Sequence, residues 1–409
     1  MIPRFKPTAS VRETLAFMRD LACFPASRGE VVTRFEAAFA AYIGVPHVLF
    51  VPSGRMGLWL ILKALQYPAG SEIVVPAFTY FAIPAVIRAA GFTPVYADID
   101  PATYELTTAS VSNVVTSKTR AVIPTHLFGR TCDMDGLATA CSRNHIDLIE
   151  DCAQSCGAAI GGRKTGSLGR AAYFTFGITK NFTTFSGAMV ACRDVEIHQR
   201  MAGLAGGFRP AARGKLLKEA ITAFGMLVAT NRFIFNLSLA PLVRTTPADR
   251  PDIVHRLFEE VAGAIDPAAM DRMGWYPVES QAAAGLRQLR TIDVKNAARR
   301  RHGARLLRLL RDQGFEGVPA PAETGGDHIY MSFAIRHPDR FRLAASLRRG
   351  GVDVAPGYMI DCSARPELGG HAGQCPNASV VESSILHLPI YPELRDRDLE
   401  IISQSLGQP

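Results

Sequence analysis

The chain has no uninterrupted apolar run of the roughly 18 to 20 residues that a membrane-spanning helix needs. Its first residues also lack a long apolar stretch, because Pro3, Arg4, Lys6 and Pro7 break them up. A secretory leader is therefore not expected, and a cytoplasmic location is. Cysteine occurs eight times in 409 residues without a repeating spacing. A chain of this length builds its own core, so reduced thiols are expected rather than a disulfide framework. Cys152 and Cys156 stand four apart with no matching second pair, so they read as packing residues and no metal site is expected. No internal repeat or low-complexity tract occurs, which excludes a solenoid and a disordered linker protein. Aromatic residues do not interleave with basic ones, and zinc-finger spacing is missing. The net charge of +8 and the isoelectric point near 9.2 therefore do not mark a nucleic-acid binder. Much of the arginine falls between Arg287 and Arg311, with Leu286, Leu289, Leu306 and Leu310 among it, the pattern of a long amphipathic helix with a solvated face.

What is present describes a folded globular protein. Charged residues make up 20% and the AVILMFWYC set 48%, and the length suits two unequal domains. The first 190 residues alternate short β-branched runs at 48–51, 72–75, 94–97, 121–124, 147–150, 172–175 and 189–191 with helical patterns at 56–65, 82–90 and 134–144. Strand, helix, strand at this spacing predicts an α/β fold with a mostly parallel sheet covered on both faces. In such sheets ligands bind in the loops at the carboxyl ends of the strands.

That rule selects a few loops. After the first strand, Ser53-Gly54-Arg55 is a small-residue turn opening a helix, where backbone N–H groups and the helix dipole suit a phosphate. The fifth strand ends in Glu150-Asp151, followed by Gln154. The sixth runs from Thr175 into a loop carrying Lys180, and the small pair Ser186-Gly187 precedes the next strand. A loop lysine beside a strand-end aspartate makes a Schiff-base constellation. The amine forms an imine with an aldehyde, and the carboxylate holds a pyridine nitrogen protonated so that the ring becomes an electron sink.

Longer motifs surround these residues: Gly70 to Tyr80, Thr93 to Pro101, His126-Leu127-Phe128-Gly129, Cys132 to Asp135, Glu150 to Gln154, Gly166-Ser167-Leu168-Gly169, Glu279 to Leu286, 340–351 and Leu388 to Leu394. With them the chain resembles the DegT/DnrJ/EryC1/StrS family of sugar aminotransferases over most of its length except the middle. The resemblance implies a fold-type I, aspartate-aminotransferase-like transferase that uses pyridoxal 5'-phosphate. It implies a large domain with an N-terminal arm over 1–265, a smaller α+β C-terminal domain over 266–409, and a homodimer. It assigns Lys180 to cofactor attachment and proton transfer and Asp151 to the pyridine nitrogen. Gln154 falls near the phenolic oxygen, Tyr80 stacks on the ring, Thr175 stands where the family has a phosphate-binding serine, and Ser53 and Gly54 open the phosphate-binding helix. The implied reaction moves an amino group, from glutamate, to a keto sugar, nucleotide-linked or otherwise activated. A dehydratase branch of the family has histidine at the lysine position, and Lys180 stands against it.

The chain departs from the family pattern at named places. Arg55 replaces the threonine of Ser-Gly-Thr; Gly274-Trp275-Tyr276 replaces Asn-Tyr-Arg; and Pro356-Gly357-Tyr358-Met359 stands where the family places a substrate-facing histidine. These changes leave the cofactor half of the site largely intact and bear most on the half that reads the acceptor. Two further readings share the motifs: a cofactor-binding regulator without turnover, and an enzyme acting on a lipid-linked or non-sugar carbonyl. Residues 210–245 form an apolar helical insertion. Within it, 215–244 reads either as a hairpin packed on the body or the dimer, or as an interfacial helix giving peripheral membrane contact, with Lys215, Lys218, Arg232 and Arg244 at its edge.

Overall fold

The computed structural model describes residues 1–250, 265–318 and 326–406. The strands are β1 (His47–Val51), β2 (Glu72–Pro76), β3 (Phe78–Thr79), β4 (Thr93–Ala97), β5 (Thr119–Val122), β6 (Asp147–Asp151), β7 (Ala159–Ile160), β8 (Arg163–Lys164), β9 (Ala171–Thr175) and β10 (Ala188–Cys192). Seven of them form one sheet in the order β1-β10-β9-β6-β5-β2-β4. All neighbours from β9 to β4 pair parallel, and β10 runs antiparallel to both β9 and β1. The apolar runs read from the sequence arise because both faces are buried. Leu49, Val51, Ile73, Val75 and Val190 point into one core, while Val48, Phe50, Val74, Met189 and Ala191 point into the other side.

The first helices are α1 (Val11–Cys23), α2 (Glu30–Ile43), α3 (Gly54–Ala64), α4 (Ala82–Ala89), α5 (Thr108–Ser112), α6 (Met134–Ser142) and α7 (Val195–Ala205). Residues of α3, α4 and α7 cover the first face, and residues of α2, α5 and α6 cover the second. On the second face Phe35 and Phe39 of α2 meet Phe50, Phe174, Phe176 and Phe182. Several of these rings meet edge-on, with Phe35 5.0 Å from Phe50 and Phe39 5.1 Å from Phe174, while Phe35 stacks on Phe182. Phe176 and Phe182 flank the loop that carries Lys180, so this cluster pins an irregular stretch of chain without regular backbone pairing.

A second sheet has Ile385–Leu388 at its centre, antiparallel to Phe333–Arg336 and Ala355–Pro356. Helices Ile292–Asp312, Arg340–Arg349 and Asp396–Leu406 pack on it through Leu306, Leu310, Leu347, Leu399 and Ile402. The expected division at residue 265 is crossed by three segments. Ile2 joins this second core through Ile2 N–H to Gly351 O at 2.7 Å, and buried Arg4 pairs with buried Asp353 at 2.6 Å. Helix Glu279–Leu289 packs instead on α2, where a β-carbon at Gly285 would lie 2.4 Å from the Phe35 ring. Residues 360–361 pair with β3.

The single arginine-rich helix expected over 287–311 is broken. Glu279–Leu289 and Ile292–Asp312 are separate, joined by Arg290-Thr291, whose N–H groups bond three residues back. Its face is also not wholly solvated. Arg299 is buried with Nη2 on Thr8 Oγ1 at 3.2 Å, and burial lowers its pKa to about 10. The apolar insertion forms α8 (Arg213–Ala229) and α9 (Arg232–Thr245), bent by 87°. Asn231 caps α9 by accepting from Phe233 N–H and Ile234 N–H. No single described helix is long and apolar enough to cross a membrane.

Candidate active site

The carboxyl ends of β6 and β9 and the start of α3 come together. Ser53 is extended and caps α3, its hydroxyl accepting from Met56 N–H. The next residue is pressed against β9: a β-carbon on Gly54 would lie 2.3 Å from Thr175 Cγ2. Only glycine lets the first turn of α3, with its backbone N–H groups, lie this close to the end of β9. Thr175 holds the other side, donating from Oγ1 to Ala153 O at 3.2 Å and so tying β9 to the loop after β6. We expect Gly54→Ala to lower affinity for pyridoxal phosphate about tenfold and stability by about 1–3 kcal/mol. Absorbance titration and urea unfolding measure the two, and no change in either would contradict the packing.

Asp151 is buried at the end of β6, its backbone held by Pro124 O and by His126 N–H. Its Oδ1 accepts from Ala153 N–H at 3.0 Å. Burial pushes the carboxyl up from its ordinary range, against the pull of the Ala153 N–H, the Tyr173 hydroxyl and the Lys180 ammonium. Lys180 thus stands near enough to act on Asp151. It is half-buried, in a turn closed by its own N–H to Gly177 O at 3.1 Å. Ser186, in the next turn, receives Gln281 Nε2 on both its carbonyl and its hydroxyl, at 2.9 and 3.1 Å.

The residue before Asp151 does a different job. Glu150 accepts from Gly166 N–H, Leu168 N–H and Gly169 N–H at 2.7 to 2.8 Å and meets His126 Nε2 at 3.1 Å. His126 Nδ1 accepts Cys132 N–H at 3.1 Å, so the ring proton sits on Nε2 and is given to Glu150. His126, Glu150 and Cys152 lie close enough to suggest a metal cage. Hydrogen bonds already employ the histidine and the carboxylate, which explains the His126 and Gly166 to Gly169 motifs as a scaffold under Asp151.

Gln154 is buried, and its Oε1 accepts Phe128 N–H at 3.0 Å and the Tyr358 hydroxyl at 3.1 Å. Phe128 reaches it from a left-handed conformation with φ of 57°, a local strain of the kind found at functional sites. Tyr358 is not among the expected site residues. It arrives because Ile360 pairs with Thr79 of β3, next to Tyr80, and its ring stacks on His387 at 5.3 Å. Its only sequence signal is its place where the family has a histidine. Tyr80 follows β3 and leads into α4, half-buried, with its ring 4.6 Å from that of Phe81.

Arg55 is half-buried at the start of α3, and its charge reaches Lys215. Lys215 lies 4.0 Å over the Trp275 ring, and its pKa is lowered by burial, with Arg55 adding to the effect. The substituted Trp275 and Arg55 positions therefore meet at one place, a cationic edge beside the α3 turn. His387, under Tyr358, bonds Ser332 Oγ at 2.6 Å, and burial lowers it to about 3. An unfolded histidine titrates near 6.5, so below that pH the unfolded chain binds the extra proton and stability falls as pH falls. We expect His387→Asn to flatten the stability slope between pH 6 and 4 by ~1.4 kcal/mol per pH unit. Urea unfolding at both pH values reads it, and an unchanged slope would show that His387 is charged in the fold.

An amine, a buried carboxylate at a strand end and a helix N-terminus held open by glycine fit pyridoxal phosphate: the acid matches a ring nitrogen, the amine an aldehyde, and the turn a phosphate. Fold and site together define a fold-type I transferase of the aminotransferase class. The chain belongs to the DegT/DnrJ/EryC1/StrS aminotransferase family, whose model matches residues 22–236 and 277–407. It is 31% identical over 341 residues to an L-glutamine:2-deoxy-scyllo-inosose aminotransferase of Streptomyces lividus, covering 80% of this chain and 69% of that protein. It is 28% identical to a pleiotropic regulatory protein of Geobacillus stearothermophilus, over 93% and 89% of the two chains. Its fold matches the aminotransferase TlmJ of Streptoalloteichus hindustanus with a TM-score of 0.77 at 25% identity, covering 100% and 98%.

Proposed function

We propose that this chain uses pyridoxal phosphate to move an amino group from glutamate to the keto group of a sugar or sugar-like ring, as a homodimer. The observation that carries the reading is the meeting of Lys180, buried Asp151 and the Gly54 turn at the carboxyl ends of the central strands. Bound cofactor supplies an electron sink. Asp151 would accept the hydrogen bond of a protonated ring nitrogen, and its burial would keep that contact strong by excluding water. Lys180 Nζ takes the proton from the donor's α-carbon and returns one in the second half-reaction. Gln154 Oε1 is occupied by Phe128 and Tyr358, which leaves its amide donors to meet the phenolic oxygen of the cofactor when bound. Tyr80 would cover the ring, and Ser53, Gly54, Arg55 and Thr175 would hold the phosphate.

The sugar-like acceptor is supported by the family and by the inosose aminotransferase among its relatives. The loaded enzyme, nitrogen-15 glutamate and a panel of nucleotide-linked keto sugars and free cyclic ketones test it. A product carrying heavy nitrogen in place of the keto oxygen is expected. Formation of 2-oxoglutarate with no aminated member of the panel would rule out this acceptor class. The Geobacillus relative's name keeps one second reading, a cofactor-binding regulator; sustained turnover with any keto acceptor excludes it.

A further inference from the structure

The α8–α9 pair carries two apolar faces, and the fold uses one. Leu216, Ala220, Ala223 and Leu227 of α8 are buried, in large part against Phe17 and Leu21 of α1. Phe235, Ala240 and Val243 of α9 are buried against Met1 and Phe5. One residue further on, Leu217, Ile221 and Phe224 form a second stripe at helical spacing that faces solvent. On α9, Phe233 is 78% and Leu237 75% exposed, four residues apart, and Leu242 is exposed beyond them. Single exposed apolar residues are ordinary; large ones at helical spacing on two adjoining helices are not.

The charges around this face are mostly positive. The two helices carry Arg213, Lys215, Lys218, Arg232 and Arg244 against Glu219 alone. Arg232 is paired with Asp398, and Lys215 lies over Trp275. A two-fold contact between copies sets the same patch against itself and would bring this cationic edge onto its own like. An anionic lipid surface complements it. The helices have 17 and 14 residues, about 25 and 21 Å at 1.5 Å per residue, short of the ~30 Å hydrocarbon thickness. The 87° bend between them also means that the pair does not form one straight span.

We propose that the outer face of α8 and α9 docks on an anionic lipid bilayer, lying in the headgroup region without crossing it. The full chain loaded with pyridoxal phosphate is floated with vesicles of phosphatidylcholine alone, and with vesicles in which about one third is phosphatidylglycerol. It is expected to float with the anionic vesicles, far less with the neutral ones, and less as salt is raised. Phe233→Glu with Leu237→Glu lowers that binding about tenfold or more, while size in solution and conversion of glutamate stay unchanged. Wild type that floats with neither vesicle overturns the proposal, and so does equal binding to both. A double variant that is smaller in solution than wild type also overturns it, since the face then joins two copies of the chain.

Discussion

Alanine in place of Lys180 abolishes the visible absorbance of bound cofactor and lowers transamination by about 10⁴-fold or more. The amine is both the attachment point and the base, so one substitution removes two functions. The fold should not notice. Lys180 is half-buried in a turn, and the loop is held by Phe176 and Phe182, whose rings lie 4.7 Å apart in the cluster behind it. The variant is therefore expected to unfold at the same urea concentration as the wild type while losing activity. Retained turnover would move the amine to another residue. A destabilised variant would mean that Lys180 also serves the loop.

Asn in place of Asp151 separates charge from shape. It keeps an oxygen for Ala153 N–H, the 3.0 Å bond of the aspartate, but cannot hold a proton on the ring nitrogen. Turnover is expected to fall about 10³-fold, the scale of losing one pre-organised electrostatic contact in a dry site. Stability should move the other way or not at all. Burial already pushes the Asp151 carboxyl up, so the cofactor-free fold bears a cost for ionising it that asparagine does not. Urea unfolding of the cofactor-free proteins, beside steady-state rates of the loaded ones, gives both numbers. An Asp151→Asn enzyme that stays active would remove the carboxylate from the mechanism.

The two predictions rest on residues readable from sequence, and the reason is physical. A strand buried on both faces appears as a short β-branched run, so Asp147–Asp151 and Ala171–Thr175 could be placed and their ends searched. That rule leads to the loops that carry Asp151 and Lys180, and the turn before a helix to Ser53-Gly54, while their roles come from the family resemblance. Contacts made across the chain were not legible. Tyr358 reaches Gln154 across 204 positions because two residues at 360–361 pair with β3, too short a strand to leave a periodic trace. Ile2 and Arg4 give no local sign that they belong with Val352 and Asp353. The break at Arg290-Thr291 and the burial of Arg299 are likewise tertiary outcomes, since arginine at helical spacing looks the same whether solvent or Thr8 receives it. Thr175 shows the limit of assigning a role by position: its hydroxyl ties β9 to Ala153 and its methyl abuts Gly54, so it shapes the turn that opens α3.

One single-turnover experiment tests whether Lys180 and Asp151 together run a transamination. Protein loaded with pyridoxal phosphate is mixed with glutamate and no acceptor, and 2-oxoglutarate is measured against protein. Release of one equivalent per chain, with bleaching of the visible band, is expected in the wild type and none in Lys180→Ala. A wild type that binds the cofactor yet releases no 2-oxoglutarate would contradict the transfer from glutamate.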